Sequence, residues 1–175
     1  DYVRKSGFPG VLIGMSGGID SALTAAVAAD ALGPEAVHCV MMPSPYTSQE
    51  SLDDAAEACR LLGARLDSVS IGPAMGAFDE MLAEAFAGTK PDTTEENIQA
   101  RSRGLTLMAL SNKTGAMVVS TGNKSEMSVG YATLYGDMCG GYSVLKDVYK
   151  TKVFELSRWR NENLPAGALG PAGVV

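Results

Sequence analysis

The segment Ser16-Gly17-Gly18-Ile19-Asp20-Ser21 combines residue types suited to holding a phosphate. Two adjacent glycines let backbone N–H groups approach an anion without a Cβ in the way. Ser16 and Ser21 add hydroxyl donors, and Asp20 offers a carboxylate to a Mg²⁺ that neutralises phosphate charge. The segment follows the apolar run Val11–Met15 and precedes Ala22–Ala29, which reads as a helix. At a strand-to-helix junction the orphan N–H groups and the positive end of the helix dipole converge, and that space favours an anion. The pattern is not GxxxxGK[ST]: no lysine follows the second glycine, so a lysine on the phosphates has to come from elsewhere. A turn that only caps the helix is the alternative.

Other residues extend the chemistry. Thr121-Gly122-Asn123-Lys124-Ser125-Glu126 follows a later apolar run, and Glu126 is a candidate second metal ligand opposite Asp20. Two carboxylates with phosphate oxygens and water form a common Mg²⁺ set. Asn97 and Arg101 lie four apart on a predicted helix, hence on one face. They suit a phosphate, carboxylate or amide ligand. The alternative is a solvated helix face on which Glu96 pairs with Arg101 or Arg103. Tyr131–Gly141, rich in aromatics and glycine and containing Asp137, reads as a mobile lid or a ligand platform. Lys150 begins the last predicted helix and can reach a phosphate; a surface cluster with Lys146 and Lys152 is the other reading. Met41 and Met42, at a predicted strand end, are candidates for an adenine pocket.

These residues need a scaffold, and the chain alternates strand and helix patterns. Strands are expected at Val11–Met15, Ala36–Met42, Arg65–Ile71 and Ala116–Ser120. Helices are expected at Asp20–Leu32, from Ser48 or Ser51 to Leu62, at Pro73–Phe86, from a Thr93 or Thr94 cap to about Gly115, and at Lys150–Asn163. Continuous apolar strands separated by helices imply a parallel sheet covered on both faces, a doubly wound α/β fold. Such sheets bind ligands beyond the carboxyl ends of their strands, so Ser16–Ser21, Pro43–Gln49 and Thr121–Glu126 should meet in one cleft. One domain is expected over 1–163. The stretch 164–175 has the composition of a flexible linker, leading to a missing C-terminal segment.

Bulk properties narrow the function. With 175 residues, 46% hydrophobic, 19% charged and a formal net charge of −6, the chain reads as an acidic globular protein with no general affinity for nucleic acid. A polyanionic ligand then requires a local basic site. Cys39, Cys59 and Cys139 are widely spaced, which fits reduced thiols in the cytoplasm, the first two as core residues, rather than disulfides or a zinc site. Asp1–Lys5 lacks the apolar region of a signal peptide, and no apolar stretch reaches membrane-spanning length. The single histidine, His38, is expected to pack within a strand.

The SGGxDS loop resembles that of the ATP pyrophosphatases, or PP-loop ATPases. Glu96-Asn97-Ile98-Gln99-Ala100-Arg101, Thr121–Glu126, Val129–Asp137 and Leu145–Thr151 narrow the likeness to the synthetase domain of NAD⁺ synthetases, particularly the glutamine-dependent type. The resemblance implies a Rossmann-like adenine nucleotide alpha hydrolase fold. It also implies amidation of deamido-NAD⁺ to NAD⁺: ATP activates the nicotinate carboxylate as an acyl-adenylate, pyrophosphate leaves, ammonia attacks, and AMP departs. By the same resemblance Gly14, Met15, Ser16, Gly17, Gly18, Ile19, Asp20 and Ser21 cradle ATP, with Thr121 and Lys150 also touching it. Asp20 and Glu126 hold Mg²⁺. Asn97, Arg101 and Glu126 face deamido-NAD⁺, and Asp137 assists at its nicotinate end. Ammonia would come from a glutaminase domain absent from this chain, and a homodimer or larger assembly is expected. Another PP-loop ligase, such as GMP synthetase, is the alternative.

Overall fold

The computed structural model describes residues 1–164. The linker expected over 164–175 therefore lies, apart from Leu164, outside the described residues.

A five-stranded parallel sheet forms the centre, in the order β3-β2-β1-β4-β5. The strands are β1 (Val11–Met15), β2 (Val37–Met41), β3 (Arg65–Ser68), β4 (Met117–Ser120) and β5 (Tyr142–Ser143). After a short α1 (Tyr2–Lys5), the helices are α2 (Ile19–Leu32), α3 (Gln49–Leu62), α4 (Gly72–Leu82), α5 (Thr93–Thr114), α6 (Lys124–Val129) and α7 (Lys150–Glu162). A single 3₁₀ turn, Pro34–Ala36, leads into β2.

Strand alternation sends apolar side chains to both faces. Val11, Ile13, Met15, Val37, Cys39, Met117 and Val119 pack under Ala22, Ala25 and Ala29 of α2 and Ala55, Cys59 and Leu62 of α3. Leu12, Val40, Met42 and Val118 face the other way, onto Leu107 of α5 and Ile71 just ahead of α4. The buried small side chains of α2 let this helix lie close to the strands. The connections β1-α2-β2 and β2-α3-β3 use one face. The path from β3 to β4 returns through α4 and α5 on the other. The chain therefore leaves β1 and β4, which are neighbours, in opposite directions, and this switch point is where such sheets open a ligand crevice. A third apolar cluster, Leu23, Leu145 and Val153, seats α7 beside α2. Arg160 of α7 adds paired hydrogen bonds to Asp30 of α2, at 3.2 and 2.9 Å.

The expected elements stand in their expected order, with differences at their ends; α1, α6 and β5 are additional to them. The third strand leaves the sheet after Ser68 rather than reaching Ile71, which is buried just ahead of α4. The fourth helix runs from Gly72 to Leu82, not from Pro73 to Phe86. The cap of α5 is Asp92, not Thr93 or Thr94. Its carboxylate accepts the Thr94 N–H at 2.8 Å, while the Glu95 carboxylate accepts the Asp92 N–H at 2.8 Å, a reciprocal capping box. Cys39 and Cys59 are buried core thiols, as expected. Their mutual hydrogen bond, followed by burial, pushes the Cys39 thiol well above its ordinary pKa. His38 is not merely packed: its Nε2 is 2.9 Å from Asp67, which Arg65 also engages at 2.5 Å.

Candidate functional site

A cleft of about 550 Å³ opens at the carboxyl ends of β1, β2 and β4. The three polar segments that follow these strands do converge on it: Ser16, Asp20 and Ser21; Pro43, Tyr46, Thr47 and Ser48; and Thr121, Gly122 and Glu126. Residues 131–141 supply a further wall through Tyr131, Gly136, Asp137 and Cys139.

The loop between β1 and α2 is braced by its own serines. The buried Ser21 hydroxyl donates to the Gly18 carbonyl at 2.9 Å and accepts the Ser16 N–H at 3.3 Å. The Ser16 hydroxyl accepts the Gly18 N–H at 3.2 Å. The Ser21 hydroxyl thus braces the loop from within while the residue lines the cleft. Gly17 is required twice over. Its φ is +80°, and a Cβ there would lie 2.3 Å from the Ser51 carbonyl oxygen. That close approach sets the loop against the first turn of α3, whose cap, Ser48, accepts the Ser51 N–H at 3.2 Å.

Asp20 opens α2 and is the hub of the charged wall. One of its oxygens is ion-paired with Lys150, and the other accepts a 3.1 Å hydrogen bond from the Asn123 amide. Asn123 is fully buried and caps α6: its Oδ1 accepts the Glu126 N–H at 3.1 Å. The Glu126 carboxylate returns to the Asn123 N–H at 3.2 Å. One asparagine thus ties the two carboxylates of the cleft to each other. Lys150 is delivered from the first turn of α7, where its own N–H donates to Ser125 Oγ at 3.0 Å. The two cleft carboxylates form a hard-oxygen donor set, with an ammonium already drawn to one of them. They fit a Mg²⁺ that takes its remaining ligands from nucleotide phosphates and water. Among the described residues no cluster of three or more metal-binding side chains is present.

The helix α5 braces residues 131–141. The Thr133 hydroxyl is 2.9 Å from Asn97 Oδ1, and Arg101 Nε donates to the Leu134 carbonyl at 3.2 Å. Gly104 and Gly136 allow the close approach, since a Cβ on Gly104 would lie 2.8 Å from the Tyr135 carbonyl oxygen. Asp137 accepts the Thr133 N–H at 2.6 Å and closes a turn within the loop. Neither Arg101 nor Arg103 pairs with Glu96 among the described residues, although Arg101 itself lies exposed on its helix face.

Of the expected site residues, Gly14, Met15, Ser16, Asp20, Ser21, Thr121, Glu126 and Asp137 line the cleft. Lys150 joins them through Asp20. Gly17 and Gly18 shape the loop, Ile19 packs into the cluster under α7, and Asn97 and Arg101 reach the cleft only through the loop they hold. Lys152 pairs with Glu155 on the surface. Two cleft-side residues were not anticipated. Asn123 was detectable as the first letter of an N-x-x-E capping box. Arg103 carries no local signal: its place in the cleft follows from the face of α5 that packs on the sheet through the buried Leu107.

A parallel sheet with an SGGxDS loop at its switch point and paired carboxylates in the crevice defines an α/β nucleotide-binding protein of the PP-loop class. The profile of the NAD synthase family matches residues 1–169. The chain is 61% identical over 181 residues to a glutamine-dependent NAD(+) synthetase of Rhodobacter capsulatus, covering all of this chain and 33% of that protein. The solved glutamine-dependent NAD+ synthetase of Acinetobacter baumannii, in complex with ADP, superposes with a TM-score of 0.92 at 58% identity, over 96% of this chain and 32% of that one. The NH3-dependent NAD synthetase of Campylobacter jejuni superposes with a TM-score of 0.83 at 32% identity, over 93% of this chain and 69% of that one. The chain belongs to the NAD synthase family. It spans about a third of the length of the curated relatives it matches. These matches give GMP synthetase no support.

Proposed function

We propose that the chain carries the synthetase chemistry of a glutamine-dependent NAD⁺ synthetase: ATP-dependent amidation of deamido-NAD⁺ to NAD⁺ through an acyl-adenylate, releasing AMP and pyrophosphate. The observation that carries this reading is the cleft itself, where the Ser16–Ser21 loop faces Asp20 and Glu126, joined through Asn123, in a member of the NAD synthase family.

The chemistry follows from the arrangement. A carboxylate is a poor electrophile, and adenylation gives it a good leaving group. The protein has to position two anionic nucleotides and compensate charge, and needs no nucleophile of its own. The backbone of Gly14–Ser21 and the Ser16 hydroxyl receive the ATP phosphates, with Thr121 beside them. Lys150, paired with Asp20, lies within the same charged wall and supplies an ammonium to the phosphates. Glu126 faces deamido-NAD⁺ from the cleft wall, Asn97 and Arg101 serve it through the loop they brace, and Asp137 lies at its nicotinate end. A Mg²⁺ held by Asp20 and Glu126 would neutralise phosphate charge and ease departure of pyrophosphate. The cleft volume falls within the roughly 300–1,000 Å³ usual for small-molecule sites.

Ammonia reaches the acyl-adenylate from a glutaminase domain outside this chain. A homodimer or larger assembly accords with the exposed Tyr131, Leu134 and Tyr135 at the cleft edge. A cytoplasmic setting accords with three free cysteines and with the lack, among the described residues, of any helix long and apolar enough to cross a membrane. Incubation with ATP, Mg²⁺, deamido-NAD⁺ and ammonium tests the reading. NAD⁺, AMP and pyrophosphate are expected in equal amounts, and ADP with orthophosphate would refute it.

A further inference from the structure

Arg103 is a cation in the cleft without an anionic partner. It projects from α5 into the space bounded by Met42, Gly104 and Leu107, where it is partly buried. Its Nε donates to the Met42 carbonyl at 3.1 Å, which fixes the guanidinium plane at the end of β2. Among the described residues it forms no ion pair. Burial pushes its pKa down from the ordinary value, the mark of a charge that solvent only partly compensates. A guanidinium has five N–H donors, and four of these remain for a ligand. An unpaired buried charge is costly unless something of opposite sign completes it.

Its place distinguishes it from Arg101. Two residues along a helix turn the side chain through roughly 200°, so Arg101 holds residues 131–141 while Arg103 faces the sheet. Met41 is in register with Met15, the residue immediately before the phosphate loop. Arg103 thus approaches the loop's end of the cleft from the α5 face of the sheet, while α2 approaches it from the other. A Cβ on Gly14 would touch both Met42 and Leu107, at 3.2 and 3.3 Å, so only a slender backbone separates Arg103's neighbours from the loop.

We propose that Arg103 binds a phosphate oxygen of ATP and forms the second, side-chain half of a clamp whose first half is the Ser16–Ser21 backbone. The inference rests on the ATP-dependent reading above and extends it to a residue with a single role, anchoring the phosphates. The test measures binding of α,β-methylene-ATP with Mg²⁺, of adenosine, and of deamido-NAD⁺, to the wild-type chain and to R103M, R103Q and R103K. Gln keeps a donor for the Met42 carbonyl but no charge, and Lys keeps the charge without the fork.

R103M and R103Q should weaken α,β-methylene-ATP about ten- to a hundredfold, as expected for lost charge-assisted hydrogen bonds. Adenosine should bind within about twofold of wild type to all variants, and R103K should fall between. Equal loss for adenosine and the triphosphate would overturn the inference, because Arg103 would then only hold Met42. So would unchanged affinity for the triphosphate, or a loss confined to deamido-NAD⁺. Failure of the wild-type chain to bind either adenine ligand would instead remove the functional reading, and this inference with it.

Discussion

Asp20 and Asn123, 103 positions apart in the chain, meet at 3.1 Å, and that contact locks the helix after β1 to the helix after β4. Both strands end at the switch point, so the bond crosses the crevice where the sheet splits. Because Asn123 also caps α6 and is bonded by the Glu126 carboxylate, the separation of the two cleft carboxylates is set by one buried amide.

Removing that amide should damage fold and function together. Asn123→Ala is expected to destabilise the chain by about 2–4 kcal/mol, from a lost helix cap and a lost hydrogen bond to a charged group. Urea unfolding measures this. Asn123→Asp should weaken Mg²⁺-dependent turnover even where the fold persists, since it sets a third carboxylate between Asp20 and Glu126.

Asp20→Asn should largely abolish turnover. It removes one proposed metal ligand and at once releases Lys150 from its ion-pair partner. Steady-state assays across a Mg²⁺ titration read the effect. Full activity at ordinary Mg²⁺ would show that the metal assignment is wrong.

Arg101→Ala should raise the apparent KM for deamido-NAD⁺ more than that for ATP. The side chain holds the Leu134 carbonyl in the wall next to Asp137, away from the phosphate loop. Equal effects on both substrates would count against its assignment to the dinucleotide.

The acid limb of stability carries a signature of α5. Hydrogen bonds from Thr94 hold the Asp92 carboxyl below its ordinary pKa. A carboxylate whose folded pKa is depressed stabilises above its unfolded value, and the contribution fades as pH falls through the folded one. Asp92→Ala should therefore lower Tm at neutral pH. The gap from wild type should close as pH drops through and below the usual carboxylate range, as calorimetry across that range would record.

Much of this arrangement was written locally. The apolar runs at Val11–Met15 and Met117–Ser120, the cap Ser48 and the stop Gly63 mark elements by period and turn chemistry, and they stand within a residue of expectation. The site loop was legible because its chemistry is contiguous. The six-residue α6 and the two-residue β5 were not, since neither is long enough to show a hydrophobic period. Asp92 was passed over for Thr93 and Thr94, although Glu95 stands where a capping box needs it. Arg103 was hidden for a different reason. Its role depends on which face of α5 meets the sheet, and that is decided by packing of Leu107 and Leu110 against Leu12 and Val118 rather than by the arginine's own neighbours.

The central claim is that the nicotinate carboxylate attacks the α-phosphorus of ATP. Deamido-NAD⁺ carrying ¹⁸O in that carboxylate, incubated with the chain, ATP, Mg²⁺ and ammonium, tests it directly by mass spectrometry of the products. The account predicts one ¹⁸O in the phosphate of AMP and none in pyrophosphate. Label emerging in orthophosphate, with ADP as the spent nucleotide, would contradict it.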